Sequence, residues 1–282
     1  MSTRKFSHTA LATAYIRAAH QLLDAAPLIL EDSVGEVLLG PAARQRILDE
    51  PERYQTPEAK ALRAHIVLRS RFAEDRLAEA VQRGIKQYVV LGAGFDSFAY
   101  RQPVWAKQLQ IIEVDHLGTQ SLKLNCLNAA SLAIPENVKL INIDFETESL
   151  QSGLGRNQVA LEHPTFFSWL GVTMYLEEAA IDRVLRSAAL FPAESEIVLT
   201  FAPSPAGGGG SHAASPIARR AADSGEPWLS YFTPEEIAAK LRDAGFSKVF
   251  FLTPAEAQKR YFSERPHDLP MLKRTNLVSA IK

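Results

Sequence analysis

One cysteine in 282 residues leaves no partner for an internal disulfide, and no uncharged stretch is long enough to span a bilayer. Charge of one sign is also scarce: 31 Lys and Arg stand against 32 Asp and Glu, a formal net charge of -1. Nucleic acid and anionic membranes are normally met by a basic surplus on one face, so neither is expected as a partner. The apolar core of a secretory leader is missing near Met1, and the cytoplasm is the expected compartment. No Gly-Lys-Ser or Gly-Lys-Thr of a phosphate loop occurs, none of the seven tyrosines has a lysine four residues on, and no metal site is expected.

What is present suffices for a full core. Apolar residues make up 46% of the chain and charged ones 22%, at a length near the upper size of one domain. Residues 8 to 80 carry helical spacing and no convincing strand, as in Ala61, Ile66, Val67, Phe72, Leu77 and Val81. Residues 1–80 are therefore expected to form an N-terminal helical cap, part of the same domain as a core over 81–282. The one cysteine, Cys126, is expected on the inner face of a helix as a small buried hydrophobe.

From about Lys86 short β-rich runs alternate with helical stretches: Gln87 to Leu91, Gln110 to Val114, Val138 to Ile143, Thr165 to Leu170 and Glu196 to Phe201. That alternation predicts an α/β fold with a parallel sheet covered by helices. Pro234-Glu235-Glu236 opens an amphipathic helix closed by Gly245, and two more strands follow, Lys248 to Leu252 and Asn276 to Ile281. The expected architecture is Rossmann-like: seven strands, mostly parallel, with one antiparallel strand contributed by the closing pair. Gly207 to Gly210 predicts a mobile loop near 204–212.

The run Val90-Leu91-Gly92-Ala93-Gly94-Phe95-Asp96-Ser97 empties a strand into two glycines, and Glu113-Val114-Asp115 ends the next strand. Bare backbone at Gly92 and Gly94 lets a bulky cofactor lie close, and an acid at the second strand tip can hold ribose hydroxyls; Asp115 is the first candidate and Glu113 the second. A dinucleotide fingerprint has a third glycine where Ser97 stands, and Asp96 before it would repel a pyrophosphate at the helix start. A cofactor with a sulfonium and an amino acid tail would tolerate that acid. After the third strand, Asp144-Phe145 suits an adenine, the carboxylate accepting from the exocyclic amine and the ring packing on the base. An NAD(P)-dependent Rossmann oxidoreductase and a non-catalytic adenosine-binding protein stay open as alternatives, although the first lacks its Tyr-x-x-x-Lys pair.

Arg69-Ser70-Arg71-Phe72 with Asp75, the glycine run with Ala99-Tyr100-Arg101, Glu113-Val114-Asp115 with Lys123, Asp144-Phe145 and Gly171-Val172-Thr173-Met174-Tyr175-Leu176 occur in that order. This ordered set resembles the leucine carboxyl methyltransferase family of class I S-adenosylmethionine-dependent enzymes. Gly225-Glu226-Pro227-Trp228 and Arg260-Tyr261-Phe262 extend the resemblance, toward the bacterial small-molecule O-methyltransferase branch, over about residues 8 to 282. It implies S-adenosyl-L-methionine as cofactor, Gly92 and Gly94 against it, Asp115 on the ribose, Asp144 with Phe145 at the adenine and Arg69 paired with the methionyl carboxylate. The eukaryotic protein-methylating members of that family carry a glutamate immediately before the glycine of the Gly-Val-x-Met-Tyr-Leu-like segment. Leu170 stands there instead, which speaks against the same protein terminus as substrate.

Methyl transfer from a sulfonium has an excellent leaving group, so alignment and exclusion of water can supply about 7–11 kcal/mol of the barrier. A carboxylate acceptor needs no base, whereas a hydroxyl needs one within hydrogen-bond reach. Tyr175 and Arg17 are the expected catalytic contacts to a small-molecule acceptor. His8, His20 and His116 are candidate bases, and Trp228 and Phe232 candidate walls of an apolar acceptor pocket.

Overall fold

A computed structural model describes residues 6–204 and 215–282. The glycine-rich run expected to form a loop, Gly207 to Gly210, lies outside them. Seven strands form one sheet: β1 (Gln87–Leu91), β2 (Gln110–Asp115), β3 (Val138–Asn142), β4 (Thr165–Trp169), β5 (Glu196–Thr200), β6 (Lys248–Phe251) and β7 (Leu277–Ile281). Their order is β3-β2-β1-β4-β5-β7-β6. The first five pair in parallel, and β7 runs antiparallel to both of its neighbours. This is the seven-stranded, mostly parallel sheet with one reversed strand that the sequence predicts.

Alternation along the strands divides the core in two, because successive side chains point to opposite faces. Val89, Leu91, Ile112, Val114, Phe167 and Trp169 enter one cluster; Tyr88, Val90, Ile111, Phe166 and Val198 enter the other. The first cluster is covered by α7 (Leu150–Arg156), α8 (Glu178–Ala189) and α10 (Pro234–Ala244). The second is covered by the 26-residue α5 (Pro57–Gln82) through Ala64, Val67, Leu68, Phe72 and Leu77. With both faces covered, all five residues of β1 are buried, which is why Tyr88 to Leu91 read as an apolar run and not an alternating one, while Gln87 is satisfied by the Thr165 hydroxyl at 2.7 Å.

Helices α1 (His8–Leu23), α2 (Ser33–Leu39), α3 (Pro41–Asp49) and α4 (Glu52–Gln55) precede α5, and α6 (Leu117–Ala129) links β2 to β3. Two short helices complete the chain, α9 (Pro216–Asp223) and α11 (Pro254–Ala257). The start and stop signals around α10 act as expected: Thr233 and Glu236 close a capping box, Pro234 occupies the first turn, and Gly245 ends the helix at φ 116°. Cys126 is half-buried beside Leu127 and not on a fully buried face, so its expected core place is only partly taken up. No helix among the described residues is long and apolar enough to cross a membrane.

From β1 the chain proceeds outward to β2 and β3, then returns to place β4 on the other side of β1. Strand order reverses there, and a crevice opens beyond the carboxyl ends of β1 and β4, where sheets of this kind admit ligands.

Candidate functional site

The crevice encloses about 1020 Å³. Its floor is the turn after β1, held to β2 by the N–H groups of Gly92 and Ala93, which both donate to the Val114 carbonyl at 2.8 and 3.0 Å. Gly92 and Gly94 have φ of 67° and 51°, the left-handed region that costs glycine nothing. A side chain on Gly92 would overlap Val172, and one on Gly94 would come within 3.2 Å of the Ala10 methyl. Bare backbone is therefore required on both sides of the turn, and it forms a cradle that a Cβ would fill.

Asp115 ends β2 on the crevice wall. Its carboxylate accepts from the N–H of Gly94 and, at 2.6 Å, from that of His116. Burial nevertheless pushes its carboxyl upward from the ordinary value, against those two donors. A carboxylate has about four acceptor sites, so two backbone donors leave room for a pair of hydroxyls. Asp144, just past β3, is exposed on the same wall and accepts the Glu146 N–H at 3.0 Å, as a turn residue does. Phe145 lines the crevice but is only 7% exposed, its ring packed edge-on to Trp169 with centroids 6.3 Å apart. Little of that ring is left to stack on a base, and this departs from the expected packing on an adenine.

Glu113 is corrected. It shares a face of β2 with Asp115 but lies one pleat deeper, 1% exposed, and is not on the crevice wall. Its carboxylate takes Lys123 Nζ at 2.7 Å and the Tyr100 hydroxyl at 3.4 Å, a buried pair inside the fold. Arg17 is corrected in part. It borders the crevice, yet its Nε donates to Asp32 at 3.1 Å and its Nη2 to the Phe95 carbonyl. Asp32 is fully buried; burial alone would raise its carboxyl, but Arg17 and Arg101 hold it below the ordinary value. Arg17 thus braces the glycine turn, its Nε and Nη2 both taken by groups of the protein itself.

Arg69 projects from α5 over Gly171, which has φ 75°; a Cβ there would sit 2.5 Å from the guanidinium. It has no hydrogen-bonded or ion-paired acceptor among the described residues. Burial, together with the positive charge of Arg17, lowers it to about 10, so it stays charged near neutrality while wanting an anion. Tyr175, in the 3₁₀ turn after β4, lines the same part of the crevice.

Of the histidines, His116 is exposed and caps α6 by accepting the Gly118 N–H at 3.3 Å. His20 is fully buried, its Nδ1 2.6 Å from Asp24 and its Nε2 facing the Ile29 and Leu30 N–H groups. His8 sits at the start of α1 against Phe6 and borders the crevice. The imidazole that sequence reading missed is His65, one turn before Arg69 on α5 and on the crevice wall. Burial and the Arg69 charge push it down to about 4, so it is neutral in ordinary buffers. Its signal lay in Glu58, Leu62, His65 and Arg69, a stripe at helical spacing that the apolar pattern of α5 overshadowed. Trp228 also lines the crevice, with its indole N–H buried and unpartnered among the described residues, and its ring stands 6.0 Å from that of Tyr231. Phe232 is 2% exposed within the first core cluster and forms no part of the wall.

Residues 10–189 match the model of the leucine carboxyl methyltransferase family. The whole chain is 32% identical to the Bacillus subtilis protein YktD, a candidate S-adenosyl-L-methionine-dependent methyltransferase, with 100% of both chains covered. A candidate methyltransferase of the same kind from Mycobacterium marinum is 28% identical, over 58% of this chain and 51% of its own. Among solved structures, a DUF574 family protein from Streptomyces avermitilis superposes with a TM-score of 0.56 at 15% identity, covering 98% of this chain and 97% of that one. A candidate methyltransferase from Thermobifida fusca gives 0.54 at 17% identity, with 99% and 95% covered. At such identities the structural likeness is one of fold.

Proposed function

Because this chain belongs to the leucine carboxyl methyltransferase family and is an S-adenosyl-L-methionine-dependent methyltransferase, we propose that it methylates an oxygen, carboxylate or hydroxyl, of a small molecule. The oxidoreductase alternative falls with the family. The observation that carries the reading is a single crevice bearing a glycine cradle, an acid at the next strand tip and an unpaired guanidinium. Gly92 and Gly94 would lie against the adenosyl group, Asp115 would accept from the ribose hydroxyls, and Asp144 would accept from the adenine amine. Phe145 would bound the adenine end with its backbone more than with its ring. Arg69 would take the methionyl carboxylate in a charge-assisted fork.

Bound there, the cofactor supplies a methyl group activated on a sulfonium. The chain's own part is alignment. Asp115 ties the ribose position to Gly94 through its backbone contact, Arg17 fixes the same turn through Phe95, and Arg69 fixes the opposite end of the guest. Three anchors on one rigid turn and one long helix restrict the reacting atoms to a narrow range of approach, which is where such a reaction gains most. Tyr175 would meet the acceptor from the β4 side. Leu170 in place of a glutamate supports a small acceptor over a protein terminus.

The test joins binding with turnover. S-adenosylmethionine and S-adenosylhomocysteine should each raise the melting temperature, as native-state ligands do. Labelled methyl from the donor should pass to oxygen in a panel of small carboxylic acids, phenols and alcohols. Transfer to nitrogen or carbon acceptors alone would overturn the oxygen assignment.

A further inference from the structure

We propose that the acceptor is a neutral phenol, bound on the α5 side of the crevice with its hydroxyl on His65 and its ring beside Trp228 and Tyr231. The proposal rests on the methyltransferase reading of the crevice and deepens it.

Direction along α5 separates the two guests. The first half of the helix, from Glu58 to Ser70, lines the crevice, and its end at Gln82 leads into β1. His65 therefore stands about 6 Å from Arg69 along the helix axis, on the side away from β1's start, at 1.5 Å per residue. If Arg69 holds the cofactor's carboxylate, the layer beyond it, walled by Leu62 and His65, belongs to the second reactant. The volume agrees: about 1020 Å³ is at the top of the range of about 300–1,000 Å³ for one drug-sized ligand, which leaves space for a small ring beside a cofactor.

Charge selects the class. Arg17 is committed to Asp32 and the Phe95 carbonyl, and Arg69 to the cofactor. Arg220 and Arg274 also line the crevice, but as exposed residues whose charge solvent screens. No free cation remains inside: beside the carboxylates of Asp96 and buried Glu226, which accept the Phe98 and Thr9 N–H groups, stand the neutral His65 imidazole, with no hydrogen-bond partner among the described residues, the buried indole N–H of Trp228 and the Tyr175 hydroxyl. A carboxylate drawn into that layer would lose its water without gaining a cation, an uncompensated desolvation. A phenol loses far less, can donate its O–H to an imidazole nitrogen, and presents a ring to two aromatic walls.

The step balances. An oxygen lone pair forms the new bond to the methyl carbon, the carbon–sulfur pair stays on sulfur, which becomes a neutral thioether, and the phenolic proton passes to His65. Arg69 opposes the imidazolium that results, and a carboxylate seated on Arg69 relieves that opposition. The base thus gains strength when the cofactor is in place.

The experiment uses the whole chain saturated with S-adenosylhomocysteine, titrated with phenol and with benzoate by calorimetry, while the indole resonance of Trp228 is followed by NMR. Phenol should saturate, move that resonance and bind about tenfold tighter than benzoate. His65→Ala and Trp228→Phe should each weaken phenol about fivefold or more while S-adenosylhomocysteine affinity stays within about twofold, which also shows that the variants are folded. Equal or tighter binding of benzoate, binding of neither probe, or indifference of phenol to both substitutions would overturn the proposal and leave the methyltransferase reading intact. Failure of S-adenosylhomocysteine itself to bind would overturn both.

Discussion

Arg69 lies across Gly171 so closely that a Cβ on the glycine would stand 2.5 Å from the guanidinium. The two residues are 102 positions apart in sequence, one on a helix and one at the tip of the central sheet, and only the absence of a side chain at 171 lets the guanidinium reach its place over the strand ends.

Gly171→Ala should therefore act on the cofactor through Arg69. At φ 75° an alanine costs about 1–2 kcal/mol of stability, and the displaced guanidinium should weaken S-adenosylhomocysteine binding. Arg69→Ala should weaken it as well, and the double variant should be little worse than the worse single one. Additive losses measured by calorimetry would separate the two residues and count against their coupling.

Asp115→Asn should cost about 1.5–3 kcal/mol of cofactor binding, because a charge-assisted contact is replaced by a neutral one. The amide would also turn a donor toward the Gly94 or His116 N–H, loosening the glycine turn. Calorimetric affinity equal to that of the parent chain would remove the ribose role.

Arg17→Ala leaves Asp32 fully buried with Arg101 as its remaining guanidinium, Nε at 3.3 Å. Stripping one partner from a buried pair costs about 3–5 kcal/mol, and the second arginine should hold the loss to the lower end. Urea denaturation gives the number. Arg17→Lys should recover part of the Asp32 contact but not the fork that also reaches the Phe95 carbonyl, so stability should return further than cofactor affinity.

His65 makes stability depend on pH in a defined window. Its ring is held near 4 in the folded chain against an ordinary value of 6.5, so between those values the unfolded chain binds a proton that the folded chain refuses. Stability is then complete above 6.5 and declines as pH falls toward about 4. Asp24 and Asp32, both held below their ordinary 3.8, add their losses only at lower pH, so a comparison at pH 7 and pH 5 isolates the imidazole from them. His65→Gln should flatten the fall between pH 7 and 5. An unchanged slope would mean that His65 is protonated in the folded chain.

The central strands were legible because burial on both faces writes itself as short apolar runs, as in Tyr88 to Leu91 of β1, and the edge strand β3 because β-rich residues are bounded by helical stretches; β1 matches its expected bounds, and β2 to β5 each differ by one residue at one end. The glycine turn and Asp115 were legible for the same local reason, since a cradle at a strand tip needs particular residues next to one another. Glu113 was misread because its neighbour in space, Lys123, lies on the following helix, and nothing local announces that a carboxylate is already neutralised. Arg17 was misread in the same way: Asp32 and Phe95 come to it through the packing of α1 on the turn. His65 was overlooked because its polar stripe with Glu58, Leu62 and Arg69 runs beside the stronger apolar pattern of α5, and only the fold shows that this stripe faces a crevice.

The position of β7 between β5 and β6 orders events while the chain is being made. Residues 248–251 emerge from the ribosome before residues 277–281, yet they have no seat in the sheet until those later residues arrive. During that interval β5 offers an open edge, and β6 must be kept from taking the seat in the wrong direction. The hydrogen bonds from β7 to both neighbours close that edge in a single insertion, so translation ending before residue 277 would leave a nascent sheet prone to self-association.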